Sequence, residues 1–315
     1  MKFYLFNHQN KGTTYINALT SAGHEYVPDY NDSSIDFGFI DHDAGRGGVG
    51  WRREIYAFEA RGVPLFIYPH AARPMLQWDG MYSVYPKTKC NFVIGDGHVE
   101  VMQAFGYPLP IEKTGWALCP QKAFNTKKLN RKLRVVFAPI HPNANGWIHP
   151  IDKHKNAVVF DGLLALLGDI DLTVRHIFRL QSNGLWKHKN VVFNMAQTKV
   201  DTCIEQIDSV DLIIAHQTFA YLAVARGKPL MMFGDDHIPH SGNRPENFRY
   251  VQNFDKYKDI LRYPVNFEDS YSSTTLLNSM KRAIQKDVGA KWRDKFIGKP
   301  FDKNAFVEKV ETYLS

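Results

Sequence analysis

The stretch Asp211–Asp236, DLIIAHQTFAYLAVARGKPLMMFGDD, decides how the rest of the chain is read. Its apolar run LIIA has the length and branching of a buried strand. A polar turn, His216-Gln217-Thr218, follows at once. TFAYLAVA then reads as a helix, GKPLMMF as a second buried strand, and GDDHIPHSGN as a polar loop. A strand, a helix and a second strand in close succession imply parallel pairing through a right-handed crossover. In open sheets of this kind, ligands bind outside the carboxyl ends of the strands. The polar residues directly after each strand are therefore the candidates for function. A helix starting near Thr218 presents free N–H groups and a positive dipole end, which together suit an anion. Thr218 also suits a plain N-cap with no ligand. Asp235 or Asp236 can accept hydrogen bonds from sugar hydroxyls, or form a solvated acidic loop.

The same alternation extends outward on both sides. Within the second half, LRVVFAPIHP, LTVRHIF and NVVFNM read as strands. KHKNAVVFDGLLALLGD, VDTCIEQIDSV, STTLLNSMKRAIQKDV and KNAFVEKVETYL read as helices. Past the first of these strands, FAPIHPNANGW supplies His141, Asn143, Asn145 and Gly146. Asn and Gly tolerate a left-handed backbone and let it approach a ligand, and they are equally at home in an ordinary turn. The strand LTVRHIF ends on Arg175 and His176, and an arginine fork matches phosphate oxygens. In the first half, KFYLFNH, IDFGFIDHD, VPLFIYPHA and CNFVIGDG read as strands, with helices between them. The expected fold is α/β: two Rossmann-like, doubly wound domains facing a central cleft. Their expected bounds are residues 1–128 and 129–290, with a closing helix over 291–315.

Candidate chemistry falls at strand ends of the first half. FIDHDAGRGGVGWRRE places Asp41, His42 and Asp43 before a glycine-rich turn. Histidine acts as a general base near neutral pH, and a neighbouring carboxylate can orient it. His70 and Arg73 follow the next strand, and Asp96 and His98 the one after. Each alone is compatible with a structural role, and their recurrence along one rim favours a site. Phosphate-loop and dinucleotide glycine spacings are absent. With no HExxH and no cysteine pair, no metal is expected.

Composition narrows the classes. Of the 315 residues, 44% are hydrophobic and 23% charged, as in ordinary globular proteins. No run is long and apolar enough to cross a bilayer, and the first residues lack a signal-peptide pattern. The 3 cysteines, Cys90, Cys119 and Cys203, are isolated, which favours a reducing cytoplasm. A net charge of +7 favours an anionic partner. KAFNTKKLNRKLR, from Lys122 to Arg134, carries six cations and no acid. It reads as a solvated linker or as a nucleic-acid contact.

Together, VDTCIEQIDSVDLIIAHQTFAYLAVARGKPLMMF, FAPIHPNANGW and VRHI resemble the donor-binding domain of GT-B glycosyltransferases over about residues 133–290. Relatives of that superfamily include the UDP-N-acetylglucosamine 2-epimerases and the CDP-glycerol glycerophosphotransferases. YPHAA is similar to a His-Gly segment of the latter, with Ala71 in place of glycine. Two departures stand out: Gln217-Thr218-Phe219 replaces the Ser-Ser or Gly-Gly pair, and Ala220 to Ala223 lack the glutamate of the donor helix. The resemblance implies a glycosyltransferase that needs no cofactor or metal and uses a nucleotide-diphosphate sugar, UDP-linked, as donor. The implied donor site comprises His141, Asn143, Asn145, Gly146, Arg175, His176, His216, Gln217, Thr218, Phe219, Asp235 and Asp236. His42, Asp43 or His70 would serve as the base that takes the acceptor's proton. The acceptor is open: DNA carrying hydroxymethylated bases, another polyanion, or a cell-wall polymer receiving sugar or glycerophosphate. A 2-epimerase and a non-catalytic nucleotide-sugar-binding module remain alternatives.

Overall fold

The computed structural model of the chain describes residues 1–6, 12–41, 49–69, 87–104, 106–117, 119, 122–124, 131–139, 150–176, 188–195, 200–215, 217–232, 263–267, 270 and 272–315. The chain divides into two compact units. The first comprises Met1–Pro120, His237–Leu261 and Asp294–Ser315; the second comprises Gln121–Asp236 and Arg262–Arg293.

The first unit holds a six-stranded sheet, ordered β2-β1-β3-β4-β5-β6. Its strands are β1 (Lys2–Leu5), β2 (Glu25–Tyr26), β3 (Phe37–Asp41), β4 (Leu65–Tyr68), β5 (Thr88–Val93) and β6 (Ile111–Lys113). Every pairing is parallel. Between them lie α1 (Thr13–Ser21), α2 (Val49–Arg61) and α3 (Asp96–Ala104). Strand alternation sorts the side chains of β3. Phe37 and Phe39 face a core with Tyr15, Phe66, Tyr68 and Phe92, while Ile40 faces Ile55 and Phe58 of α2. The chain runs from β1 outward to β2, then returns past β1 to β3. The topological switch point of this sheet therefore lies between the carboxyl ends of β1 and β3.

The second unit holds a five-stranded sheet, ordered β11-β10-β7-β8-β9 and again parallel throughout. Its strands are β7 (Leu133–Phe137), β8 (Ile170–His176), β9 (Val192–Met195), β10 (Leu212–Ala215) and β11 (Leu230–Met232). Its helices are α4 (Pro150–Leu164), α5 (Val200–Ser209), α6 (Gln217–Ala225) and α7 (Ser273–Gln285). Here β7 leads to β8 on one side, and β10 to β11 on the other. The switch point falls between the carboxyl ends of β7 and β10, where α6 begins.

The chain ends in α8 (Ala290–Phe296) and α9 (Lys303–Leu314). Asp302 caps α9 by accepting from the backbone N–H groups of Asn304 and Ala305. Phe306, Val307 and Val310 of α9 are buried in the aromatic core of the first unit. Among the described residues, no helix is long and apolar enough to cross a membrane.

At the amino ends of the second sheet, the described part of the basic segment is tied down. Lys122 pairs with Asp208 at 2.6 Å. Arg131 gives two hydrogen bonds to Asp211, and Arg134 donates to the same carboxylate from its backbone N–H and its side chain. Lys132 donates to the Leu167 carbonyl. These cations are structural pins, where the sequence suggested a solvated linker. Gly227, at φ 62°, lets residues 122 and 123 cross the end of α6, because a Cβ there would meet the carbonyl of Ala123.

Candidate functional site

The carboxyl edge of the second sheet gathers three features. Arg175 stands one residue before the end of β8. Its Nη2 donates to the Cys203 Sγ at 3.4 Å, and its guanidinium carbon lies 4.4 Å from the ring centroid of Phe219. Cys203 is in the first turns of α5, and Phe219 is in the first turn of α6. Strands β8 and β10 are separated by β7, a gap of about 10 Å. Arg175 and Phe219 together bridge it. The guanidinium is thus held beside the opening turns of two helices, whose dipoles are positive at that end.

Burial shifts Arg175 below its ordinary arginine value, and the Cys203 sulfur pulls in the opposite direction. Helix α6 itself is fixed. From Phe219 to Ala225 its residues are buried, so its first turn cannot shift without disturbing the core. An exposed Asp201 in the first turn of α5 balances part of that helix's positive end.

The structure therefore brings Arg175, Phe219 and the α6 amino end together. The helix begins at Gln217, so Thr218 is inside its first turn and not at the cap position. Only one residue separates Ala215, the last of β10, from that helix start. His176 closes β8 in register with Met195, and its side chain lies outside the described residues, as does that of Gln217. His141, Asn143, Asn145, Gly146, His216, Asp235 and Asp236 also lie outside them. Cys203 escaped the sequence reading, because an isolated cysteine on a helix carries no local signal of its partner.

In the first unit, His42, Asp43 and His70 lie outside the described residues. The strand that leads to the first two ends on Asp41, whose side chain is only 1% exposed. Asp41 is in register with Tyr68, whose hydroxyl donates to the Phe6 carbonyl. Burial, and then the Asp41 charge, push the Tyr68 hydroxyl up from the ordinary tyrosine value. Tyr15 donates to the Pro69 carbonyl at 3.1 Å. A carboxylate and two phenols thus gather near the switch point of the first sheet. Asp96 and His98 take other parts. Asp96 pairs with Lys113, while the His98 ring accepts from the Gly95 N–H and packs edge-on against Phe296. Both serve the local packing of α3. Among the described residues, no group of three His, Cys, Asp or Glu side chains is placed to hold a metal ion.

No protein-family model and no curated protein sequence matches the chain. Solved structures do. The chain aligns with Staphylococcus aureus MnaA in complex with UDP over 100% of its length and 96% of that chain, at 12% identity and a TM-score of 0.59. It aligns with Acinetobacter baumannii MurG over 99% of both chains, at 10% identity and a TM-score of 0.53. It aligns with the glycosyltransferase VinC in complex with dTDP over 100% of its length and 99% of that chain, at 11% identity and a TM-score of 0.54. The chain has the α/β fold of GT-B glycosyltransferases and UDP-N-acetylglucosamine 2-epimerases, which carries two Rossmann-like domains.

Proposed function

We propose that the protein is a glycosyltransferase that moves a sugar from a nucleotide-diphosphate donor to an acceptor hydroxyl. The observation that carries this reading is Arg175, held against Phe219 at the amino end of α6 beside the switch point of the second sheet. The diphosphate of the donor would lie on that guanidinium and on the free N–H groups of the helix. As the glycosidic bond breaks, negative charge grows on the leaving diphosphate, and fixed donors stabilise it more in the transition state than in the ground state. UDP and dTDP are the donor nucleotides to try first, because solved proteins of this fold hold them.

On the first unit, His42 or Asp43 would take the acceptor's proton, with His70 on the neighbouring strand end. Asp41, the last residue of β3, is buried next to them in the sequence. The acceptor is the least constrained part. Lys122, Arg131, Lys132 and Arg134 are engaged at the base of the second sheet, so DNA or another polyanion is supported by the net charge of +7 alone. An epimerase would use the same diphosphate site, and UDP-N-acetylglucosamine 2-epimerases share the fold. Release of an epimer in the absence of any acceptor separates the two.

The test is a thermal-shift panel of UDP, dTDP and their sugars on the wild type and Arg175→Ala. A ligand at a hundred times its Kd should stabilise the native state by about 2.7 kcal/mol. Losing a charged donor to phosphate should weaken binding about 30-fold in Arg175→Ala. No shift with any diphosphate would remove the basis of the transferase reading.

A further inference from the structure

Among the described helices, α7 alone carries cations and no acid. Its buried stripe, Leu276, Met280, Ala283 and Ile284, belongs to a helix that packs on β10 and β11. The opposite stripe is exposed along the whole helix: Thr274, Asn278, Lys281, Arg282 and Gln285, with Lys286 at the cap. Spacings of three and four residues place these side chains in one row. All of them are polar. Among the described residues, Lys281, Arg282 and Lys286 form no ion pair and no side-chain hydrogen bond. Asp287, which follows them, is taken up by Arg293. The carboxyl end of α7 lies at the amino edge of the second sheet, because Ile284 lines a cleft there with Lys122, Arg226, Lys228, Asp208 and Asp211. The cations of that cleft are held by Asp208 and by backbone carbonyls. The cations of α7 have no such partners.

We propose that this face of α7 is a docking surface for the sugar-phosphate backbone of a nucleic acid. The inference is independent of the donor site and of the acceptor. Cations in a row match a partner whose negative charge repeats along a line. Thr274, Asn278 and Gln285 add donors of the kind that reach phosphate oxygens. From Thr274 to Lys286 the row is about 18 Å long. One strand of a duplex advances about 3.4 Å per phosphate, so the row spans about five phosphates. A lipid surface fits less well. Helices that lie on membranes turn Trp, Phe or Leu towards the lipid, whereas α7 buries Leu276, Met280 and Ile284 in the core.

The experiment titrates the full chain into a labelled DNA duplex of random sequence, read by fluorescence anisotropy over a range of salt. Binding should weaken as salt rises, each α7 cation contributing about 1 to the slope of log K against log salt. The triple variant Lys281→Gln, Arg282→Gln, Lys286→Gln should therefore lose about 3 from that slope. A control triple, Lys89→Gln, Lys299→Gln, Lys303→Gln, removes the same charge from exposed positions of the first unit and should keep the slope. Equal losses in both triples would mean that net charge alone is at work, and would overturn the surface. So would a wild type without salt-dependent binding. If the α7 cations serve only the helix dipole, the first triple lowers the melting temperature and keeps the wild-type slope, and the proposal falls. Capture of phosphatidylserine vesicles without capture of the duplex would put a lipid surface in the place of the nucleic acid. Displacement of the duplex by poly-glutamate at equal charge would remove the preference for phosphate and with it the assigned partner. Should the first triple fail to fold, Lys281→Gln and Lys286→Gln decide singly, each expected to lose about 1 from the slope.

Discussion

Asp211 is a carboxylate whose side chain is 1% exposed, at the amino end of β10. Burial alone would raise its pKa, but hydrogen bonds from Arg131 and Arg134 outweigh this and hold it at about 2. Asp208 behaves alike: burial is outweighed by Arg226 and Lys122, again giving about 2. Folded values below the ordinary 3.8 mean that the folded state binds these protons less readily than the unfolded chain. The stabilisation is complete above about pH 4 and is lost as pH falls towards 2, by about 1–2 kcal/mol for each group once the solvent around the half-exposed Arg131 is allowed for. Asp211→Asn should therefore lower stability near pH 7 by about 2 kcal/mol and flatten the acid limb of the melting curve. An acid limb as steep as that of the wild type would contradict this. The sequence showed these cations as a charged run but not their acceptors, which lie 77 and 80 residues further along the chain. The strand end that carries Arg175 was easier to read, because a strand end is a local pattern. Its partner Cys203 was not, being 28 residues away on another element.

At the scale of elements, α6 shows what a sequence pattern can and cannot specify. The run FAYLAVA is apolar on every side, and the helix it forms is buried on every side from Phe219 to Ala225. Its start is less legible, because one residue of turn chemistry decides between a cap and a first-turn position. Thr218 is inside the helix, so removing its hydroxyl deletes no cap. A lost threonine cap costs about 1 kcal/mol, whereas Thr→Ala within a helix is neutral or slightly favourable. Thr218→Ala should leave the melting temperature of the ligand-free protein unchanged or slightly raised, and weaken UDP or dTDP if the hydroxyl reaches the phosphate. A fall of a full kilocalorie without ligand would restore the capping role. The elements that sequence reading missed are short. β2 has 2 residues, β6 has 3 and α8 has 7, too few for a period to declare itself. Tertiary pairing with β1 and β5 supplies what the local pattern lacks.

For the whole chain, the order of the units is not the order of the sequence. Read along the sequence, KNAFVEKVETYL is an amphipathic helix that closes the chain. In the structure its apolar stripe completes a core built on β1, β3, β4 and β5, at the other end of the chain. Phe306 is 1% exposed and lies 5.0 Å from Phe92 and 5.2 Å from Tyr15, ring centre to ring centre. Val310 is fully buried. Periodicity marks such a stripe without saying which sheet it covers, because partner choice depends on contacts that no local window contains. Full burial of a large apolar side chain contributes about 1.5–3 kcal/mol, so Phe306, Val307 and Val310 together rival the whole stability of an ordinary domain. A chain ending at Phe301 should therefore lose the folded first unit, read as proteolysis spreading through residues 1–120, although every residue proposed for the donor site is retained. Phe306→Ala, at about 3–5 kcal/mol, is the milder version and should show a lower melting temperature without truncation. Protection of residues 1–120 in the truncated chain would mean that α9 merely covers a core able to stand without it.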